Sequence, residues 1–194
     1  MTHPTLRIIR EEHAALSAML RSILLLLEQH RRHATLPDFA ALRAMLFYVD
    51  EFPERLHHPK ETRLLFPKLR ERAPALAAVI DRLDQDHERG EAAIRTLEHA
   101  LLAYEVMGES RRADFEAAAE RYVGFYLDHM AVEERELLPA AQRLLSAADW
   151  AELDAAFAEN RDPLTGHEVA PDYQPLFRKI LMLAPAPIGL GPAR

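Results

Sequence analysis

The sequence contains no cysteine, and this absence excludes disulfide bonds, thiolate metal sites and cysteine nucleophiles. Any bound metal must therefore be held by nitrogen and oxygen ligands. Glycine is scarce, with 6 in 194 residues, and alternating runs of β-branched residues are absent. Because the helix-favouring residues Ala, Leu, Glu and Arg dominate instead, we expect an all-α protein.

A concentrated block of basic residues is also lacking, and the formal net charge is −7. Nucleic acid is therefore not an expected partner. The apolar run from Ile23 to Leu27 is too short to span a bilayer, and the first residues lack the apolar stretch of a secretion signal. We expect a soluble, cytoplasmic protein with no membrane partner.

Four long amphipathic segments follow one another, at about residues 4–33, 38–72, 74–107 and 110–145. Short connections between such helices favour antiparallel neighbours. The sequence therefore predicts an up-down-up-down antiparallel four-helix bundle over residues 1–145. Pro53 and Pro59 predict that the second helix is kinked or locally unwound.

Residues 146–194 are too few for a second domain with a large core. A short helix is predicted over residues 147–160 and a helical turn over residues 174–183. Apolar side chains such as Trp150, Phe157 and Phe177 predict that this C-terminal extension packs on the bundle or on a second subunit. The second arrangement would give a homodimer.

Each predicted long helix carries one histidine in its apolar stripe, and three of these histidines have a glutamate four residues later. Residues i and i+4 share a helix face, one turn apart. These pairs predict a metal site inside the bundle, as in di-iron and di-manganese carboxylate proteins. The predicted ligands are His13, His57, Glu61, His87, Glu91, His129 and Glu133.

A single histidine on an apolar stripe is more often a packed core residue than a ligand, and one such pair is common on exposed faces. Three pairs on consecutive helices are harder to explain in that way, since buried glutamates without partners are very costly. His58 could turn toward the site, and Glu134 could replace Glu133. The tyrosines that could line the pocket, if they do not only pack in the core, are Tyr48, Tyr122 and Tyr126.

On these residues the sequence resembles the hemerythrin HHE cation-binding family. The resemblance covers about residues 4–145, with His13 at the first-helix position. The segments that carry it are His-His-Pro-Lys-Glu (57–61), Asp-His-Glu-Arg-Gly-Glu (86–91) and His-Met-Ala-Val-Glu-Glu (129–134). The resemblance implies a four-helix bundle with a non-haem di-iron centre, in which a bridging oxo or hydroxo group joins two iron ions.

The oxygen carriers of this family differ at two positions. They have a second histidine where this sequence has Glu91, and a His–Asp pair five residues apart where it has His129 and Glu133. A carboxylate in place of an imidazole adds negative charge, which favours ferric iron over long-lived reversible oxygen carriage.

We therefore interpret the chain as a non-haem di-iron protein that interacts with O2, NO or peroxide in sensing, storage or oxidative-stress defence. One alternative is a di-iron enzyme that activates O2 or breaks down peroxide. Another is a structural bundle without metal. Iron content distinguishes the metal-free bundle from the two di-iron hypotheses. Catalytic turnover with peroxide or a reductant distinguishes the enzyme from the ligand-binding protein.

Overall fold

The computed structural model describes residues 3–190, and within them the long elements are all helices and no β-strand occurs. The first helix is α1, Pro4–Arg32, and the third is α3, Ala77–Met107. Helices α2 (residues 39–72) and α4 (residues 112–144) are continuous but built from several segments, and the shorter helices α5, Ala147–Phe157, and α6, Gln174–Leu183, follow. In the described part of the chain, no helix is both long enough and apolar enough to cross a membrane.

Three of the helix ends have a local cause in the sequence. The carboxylate of Asp38 accepts a hydrogen bond from the N–H of Ala41 at 2.9 Å and caps α2. Gly108 ends α3 with a φ of 74°, a conformation that favours glycine. Ser146 and Asp149 form a capping box at the start of α5.

Helices α2 and α4 widen into π-helical turns at three places, Asp50–His57, Glu61–Leu65 and Glu133–Leu137. Prolines lie within these turns or close to them, at positions 53, 59, 67 and 139. A proline has no N–H to donate, so the preceding turn loses a hydrogen bond. A wider turn accommodates this loss without ending the helix. The irregularity predicted at Pro53 and Pro59 therefore takes the form of wider, π-helical turns, and helix α2 continues through both prolines.

Two apolar cores fill the space between the helices. The first core includes Leu16, Met19, Leu42, Tyr48, Phe52, Ile94, Phe115 and Tyr126. The second core includes Leu6, Ile9, Leu65, Phe66, Leu83, Val132 and Leu137. Helices α1 and α3 pass from the second core into the first along the chain, and α2 and α4 pass the other way. Helices that follow one another in sequence therefore run in opposite directions.

The C-terminal residues pack on the long helices of their own chain. Helix α5 adds Trp150, Leu153 and Phe157 to the second core, and α6 adds Phe177 and Ile180 to the first. The carboxylate of Asp154 on α5 also accepts hydrogen bonds from the N–H and hydroxyl of Thr5, at 2.9 and 2.6 Å. These contacts all lie within one chain, and a homodimer stays a prediction.

Candidate metal centre

A layer of buried histidines and glutamates separates the two apolar cores, and all four long helices contribute to it. Its side chains form three overlapping groups, and the potential ligand atoms within each group lie within 4.8 Å of one another. The members are His13, His57, His58, Glu61, His87, His129 and Glu133. We call these seven residues the polar cluster.

The polar cluster has two sides that differ in their number of imidazoles. His58, His87 and His129 form one group, whereas His13 and His57 form another with Glu61. The Nε2 atoms of His87 and His129 lie 3.0 Å apart. Two imidazole nitrogens bound at right angles to one metal ion, each at about 2.1 Å, would be separated by a similar distance.

Glu61 and Glu133 lie between the two sides. One oxygen of Glu133 is 3.3 Å from Nε2 of His13, and its other oxygen is 3.3 Å from Nε2 of His129. Glu61 likewise has one oxygen 3.2 Å from Nε2 of His57 and the other 3.6 Å from Nε2 of His87. Each carboxylate therefore faces both sides, as a carboxylate that bridges two cations would.

The five histidines of the polar cluster each have an acceptor group near Nδ1. Four of these contacts have hydrogen-bond length and the fifth, at 3.7 Å, is an ion-pair distance. They join His13 to Glu134 (3.1 Å), His57 to Glu12 (2.6 Å), His58 to Glu54 (3.2 Å), His87 to Thr62 (2.8 Å) and His129 to Asp86 (3.7 Å). Such partners orient metal-binding imidazoles and leave the other ring nitrogen free for the metal.

Several buried polar atoms of the polar cluster have no hydrogen-bond partner within the described residues. One is Nδ1 of His129, which has only its ion-pair contact with Asp86; the others are Nε2 of His57 and both carboxylate oxygens of Glu61 and of Glu133. Leaving buried polar atoms unpaired is costly, and more so when they carry charge. A bound cation would satisfy Nε2 of His57 and the carboxylate oxygens, so the residues present fit a metal ion.

The histidines of the polar cluster differ in protonation. Burial acts to lower the pKa of His13, His57 and His129, but the adjacent carboxylates outweigh it, raising the pKa of His13 to about 9 and those of His57 and His129 above the ordinary value, so a cation would displace protons from these rings. Burial lowers the pKa of His58 and of His87 well below the ordinary value, so both rings are neutral and can act as ligands. Burial, followed by the charge of Glu133, raises the pKa of Glu61. For Glu133 burial acts in the same direction, but the adjacent His129 and His13 lower its pKa well below the ordinary value.

The structure corrects the prediction for Glu91. This side chain is 60% exposed and forms an ion pair with Arg95 on the same helix. The buried stripe of α3 continues from His87 through Gly90 to Ile94. Because Gly90 has no side chain, the stripe is hard to see in the sequence, and the i+4 spacing points to Glu91 instead.

His58, left open by the sequence, lies in the polar cluster and supplies the fifth imidazole. Its ring stacks on His87 at 4.4 Å between centroids and on Tyr126 at 5.4 Å. Consecutive residues of a helix point about 100° apart. His57 and His58 can therefore reach the two sides of the cluster from neighbouring positions.

Of the two adjacent glutamates, Glu133 belongs to the polar cluster and is 1% exposed, whereas Glu134 is 44% exposed and contacts the outer nitrogen of His13. The three candidate tyrosines lie outside the cluster. Tyr122 and Tyr126 donate hydrogen bonds to Glu54, and Tyr48 donates one to Asp162.

Comparison with known protein families gives a match. The sequence pattern of the hemerythrin HHE cation binding domain matches residues 5–141, and no curated protein sequence matches the chain. The matched range is well over half of the chain and contains all seven residues of the polar cluster. The chain therefore belongs to the hemerythrin HHE cation-binding family.

Proposed function

We propose that the polar cluster holds two iron ions joined by a bridging oxo or hydroxo group. The orientation of Glu61 and Glu133, each with one oxygen toward either side, supports two metals rather than one. Mixed imidazole and carboxylate ligation suits iron, although zinc or manganese can bind to similar donors. In this proposal the four long helices form an up-down-up-down bundle over residues 1–145, with residues 146–194 as its extension.

The functional proposal is supported by the unequal number of imidazoles on the two sides of the polar cluster. Three imidazoles face one side of the polar cluster, and only His13 and His57 face the other. If both carboxylates bridge, the ion beside His13 and His57 has one protein ligand fewer. That position is available to a small ligand such as O2, NO or peroxide.

One small cavity touches the polar cluster. Its volume of about 10 Å³ is roughly enough for one water-sized molecule, and it is lined by His13 and His57 together with residues outside the cluster such as Glu12. A much larger groove of about 510 Å³ lies on the surface, and its lining residues, which include Phe47, Leu102 and Leu176, do not belong to the polar cluster. Both observations favour a diatomic or similarly small ligand over an organic substrate.

We infer that the chain uses this site for sensing, storage or oxidative-stress defence. Iron at these positions would supply reversible ligand binding or redox chemistry. The protein would orient the imidazoles through their Nδ1 partners, and the two apolar cores would exclude bulk water.

An enzyme that activates O2 or breaks down peroxide is the second candidate. It is favoured by a pair of buried phenols, Tyr122 and Tyr126, that reach His58 through Glu54. Burial, followed by the charge of Glu54, raises the pKa of both phenols, so they remain protonated donors. An oxidisable group this close to the site is a feature that redox turnover would use.

Iron quantification together with an ultraviolet–visible spectrum tests the proposal. We expect about two iron ions per chain, and anomalous scattering should place both between the seven side chains. Protein prepared with iron that holds no metal in the polar cluster would contradict the proposal. Catalytic turnover with peroxide or a reductant would favour the enzyme over the ligand-binding protein.

A further inference from the structure

The loop after α5 lies against the polar cluster. It follows Phe157 and lies beyond residue 141, where the family match ends. Asn160 in this loop is 3% exposed, although asparagine is seldom fully buried. A buried amide in a loop needs partners, and those of Asn160 come from α1 and α2.

The side chain of Asn160 is held at both ends. Its Nδ2 donates a hydrogen bond to Oε2 of Glu12 at 3.0 Å. Its Oδ1 accepts one from Nζ of Lys60, which also donates to the carbonyl of Ala156 at 2.7 Å. The amide therefore has a fixed orientation, with its donor directed at Glu12.

The same oxygen of Glu12 accepts the hydrogen bond from Nδ1 of His57, at 2.6 Å. Phe157, the last residue of α5, packs edge-on against the His57 ring, with centroids 5.9 Å apart. The orientation of His57 thus depends on two contacts that lead to α5 and its loop. Without Asn160, Glu12 would keep His57 as a partner but lose the donor that fixes its own position.

The far end of the loop is anchored as well. Asp162 is 5% exposed and accepts hydrogen bonds from the Tyr48 hydroxyl at 2.5 Å and from the N–H of Leu164 at 2.9 Å. Asn160 and Asp162 also line the small cavity beside His57. The loop is therefore a fixed wall of this side of the polar cluster.

We propose that Asn160 is a positioning residue of the metal centre, which acts on His57 through Glu12. The C-terminal extension then completes a centre whose ligands all lie in the long helices. This inference rests on the proposed function, because it assumes that the polar cluster holds metal.

The test uses the full iron-loaded chain and measures how fast a chelator removes the iron. Changes in the outer partners of metal-binding histidines weaken metal binding by about 10- to 100-fold. Asn160 acts one residue further out, so we expect Asn160→Ala to speed iron release about tenfold. Glu159→Ala, a change at the exposed neighbouring position, should leave the rate unchanged.

A double-mutant cycle with Glu12→Ala separates positioning from a general loosening of the fold. If Asn160 acts through Glu12, Asn160→Ala should add little to the release rate of the Glu12→Ala variant. If Asn160→Ala does not fold, Asn160→Asp retains an acceptor for Lys60 while removing the donor to Glu12, and it should also release iron faster.

Two results would overturn the inference while leaving the proposed function intact. One is an iron-loaded Asn160 variant that releases iron at the wild-type rate, and the other is a double variant in which the two effects multiply. Wild-type protein that takes up no iron would instead contradict the proposed function, and the inference with it.

Discussion

Gly90 lies directly against the hydroxyl of Tyr126, so that a Cβ added to Gly90 would come within 1.7 Å of that oxygen. The same Cβ would lie 3.2 Å from Oε1 of Glu54, which accepts the Tyr126 hydrogen bond. Glu54 in turn contacts His58. The missing side chain at position 90 thus makes room for a hydrogen-bond chain that ends at the polar cluster.

We predict that Gly90→Ala destabilises the protein by about 1–3 kcal/mol, because the extra methyl group must displace Tyr126. Chemical denaturation measures this free energy of unfolding. Gly124→Ala is a matched control, since Gly124 also lies in a helix and its added Cβ would point into open space. That variant should be neutral or more stable by up to about 1 kcal/mol. Equal effects of the two changes would contradict the prediction.

Glu61 and Glu91 should respond differently to substitution. Glu61→Ala removes a buried carboxylate that faces both sides of the polar cluster, and we expect it to lose at least half of the bound iron. Glu91→Ala changes an exposed residue and should retain wild-type iron content. Glu91→His should likewise retain wild-type iron content, because position 91 lies outside the cluster. Iron loss in either Glu91 variant would argue against this placement.

His58 should act as a ligand. We predict that His58→Ala lowers iron content or speeds iron release by at least tenfold, since it removes one of three imidazoles from its side of the cluster. His99→Ala, which changes an exposed histidine on α3, serves as the control for the loss of a histidine. Chelator competition measures both variants, and wild-type iron retention in His58→Ala would be evidence against the role.

Removal of the metal should destabilise the fold. Without a cation, Glu61 and Glu133 remain buried close to each other with unpaired oxygens. A ligand that binds only the folded state at about 1,000 times its dissociation constant adds roughly 4 kcal/mol of stability. Thermal unfolding of apo and iron-loaded protein should therefore show a lower midpoint for the apo form. Coincident midpoints would count against a metal in this layer.

Asp162 should make stability depend on pH. Burial raises the pKa of Asp162 to about 6, despite its hydrogen bonds from Tyr48 and Leu164. Because the folded state favours the protonated form, this contribution to stability is fully present below the ordinary pKa of 3.8 and is lost as pH rises through about 6.

The matched variant for this effect is Asp162→Asn, which does not titrate. Relative to it, wild-type protein should lose on the order of 1–3 kcal/mol between pH 4 and about pH 7. Denaturation of both proteins across this range gives the difference. A difference that stays constant with pH would rule out a raised pKa for Asp162.

The sequence could predict the helices and most of the polar cluster because both follow from helical periodicity, by which residues four positions apart share a helix face. In helices α2 and α4, a histidine and a glutamate four residues apart lie on the buried face, and the structure brings His57, Glu61, His129 and Glu133 together. Over residues 174–183 the sequence predicts a helical turn, and the structure has the longer helix α6, Gln174–Leu183, there.

The same rule was wrong at Glu91, where a glycine rather than a side chain continues the buried stripe. The i,i+4 spacing also does not select His58, because it picks one residue per helical turn. In the structure the adjacent residues His57 and His58 both belong to the cluster. The dependence of His57 on Asn160 could not be predicted from spacing, since 103 positions of chain separate the two and only the folded tail brings them together.

The position of the polar cluster between two apolar cores has a consequence for the alignment of the helices. A shift of one helix by a single turn, about 5.4 Å, would move its histidine out of the layer and into hydrocarbon. It would also bring an apolar side chain among the carboxylates of Glu61 and Glu133. Apolar contacts alone tolerate such shifts, whereas a layer of converging donors does not. The polar cluster thus fixes how the four long helices are aligned along their axes.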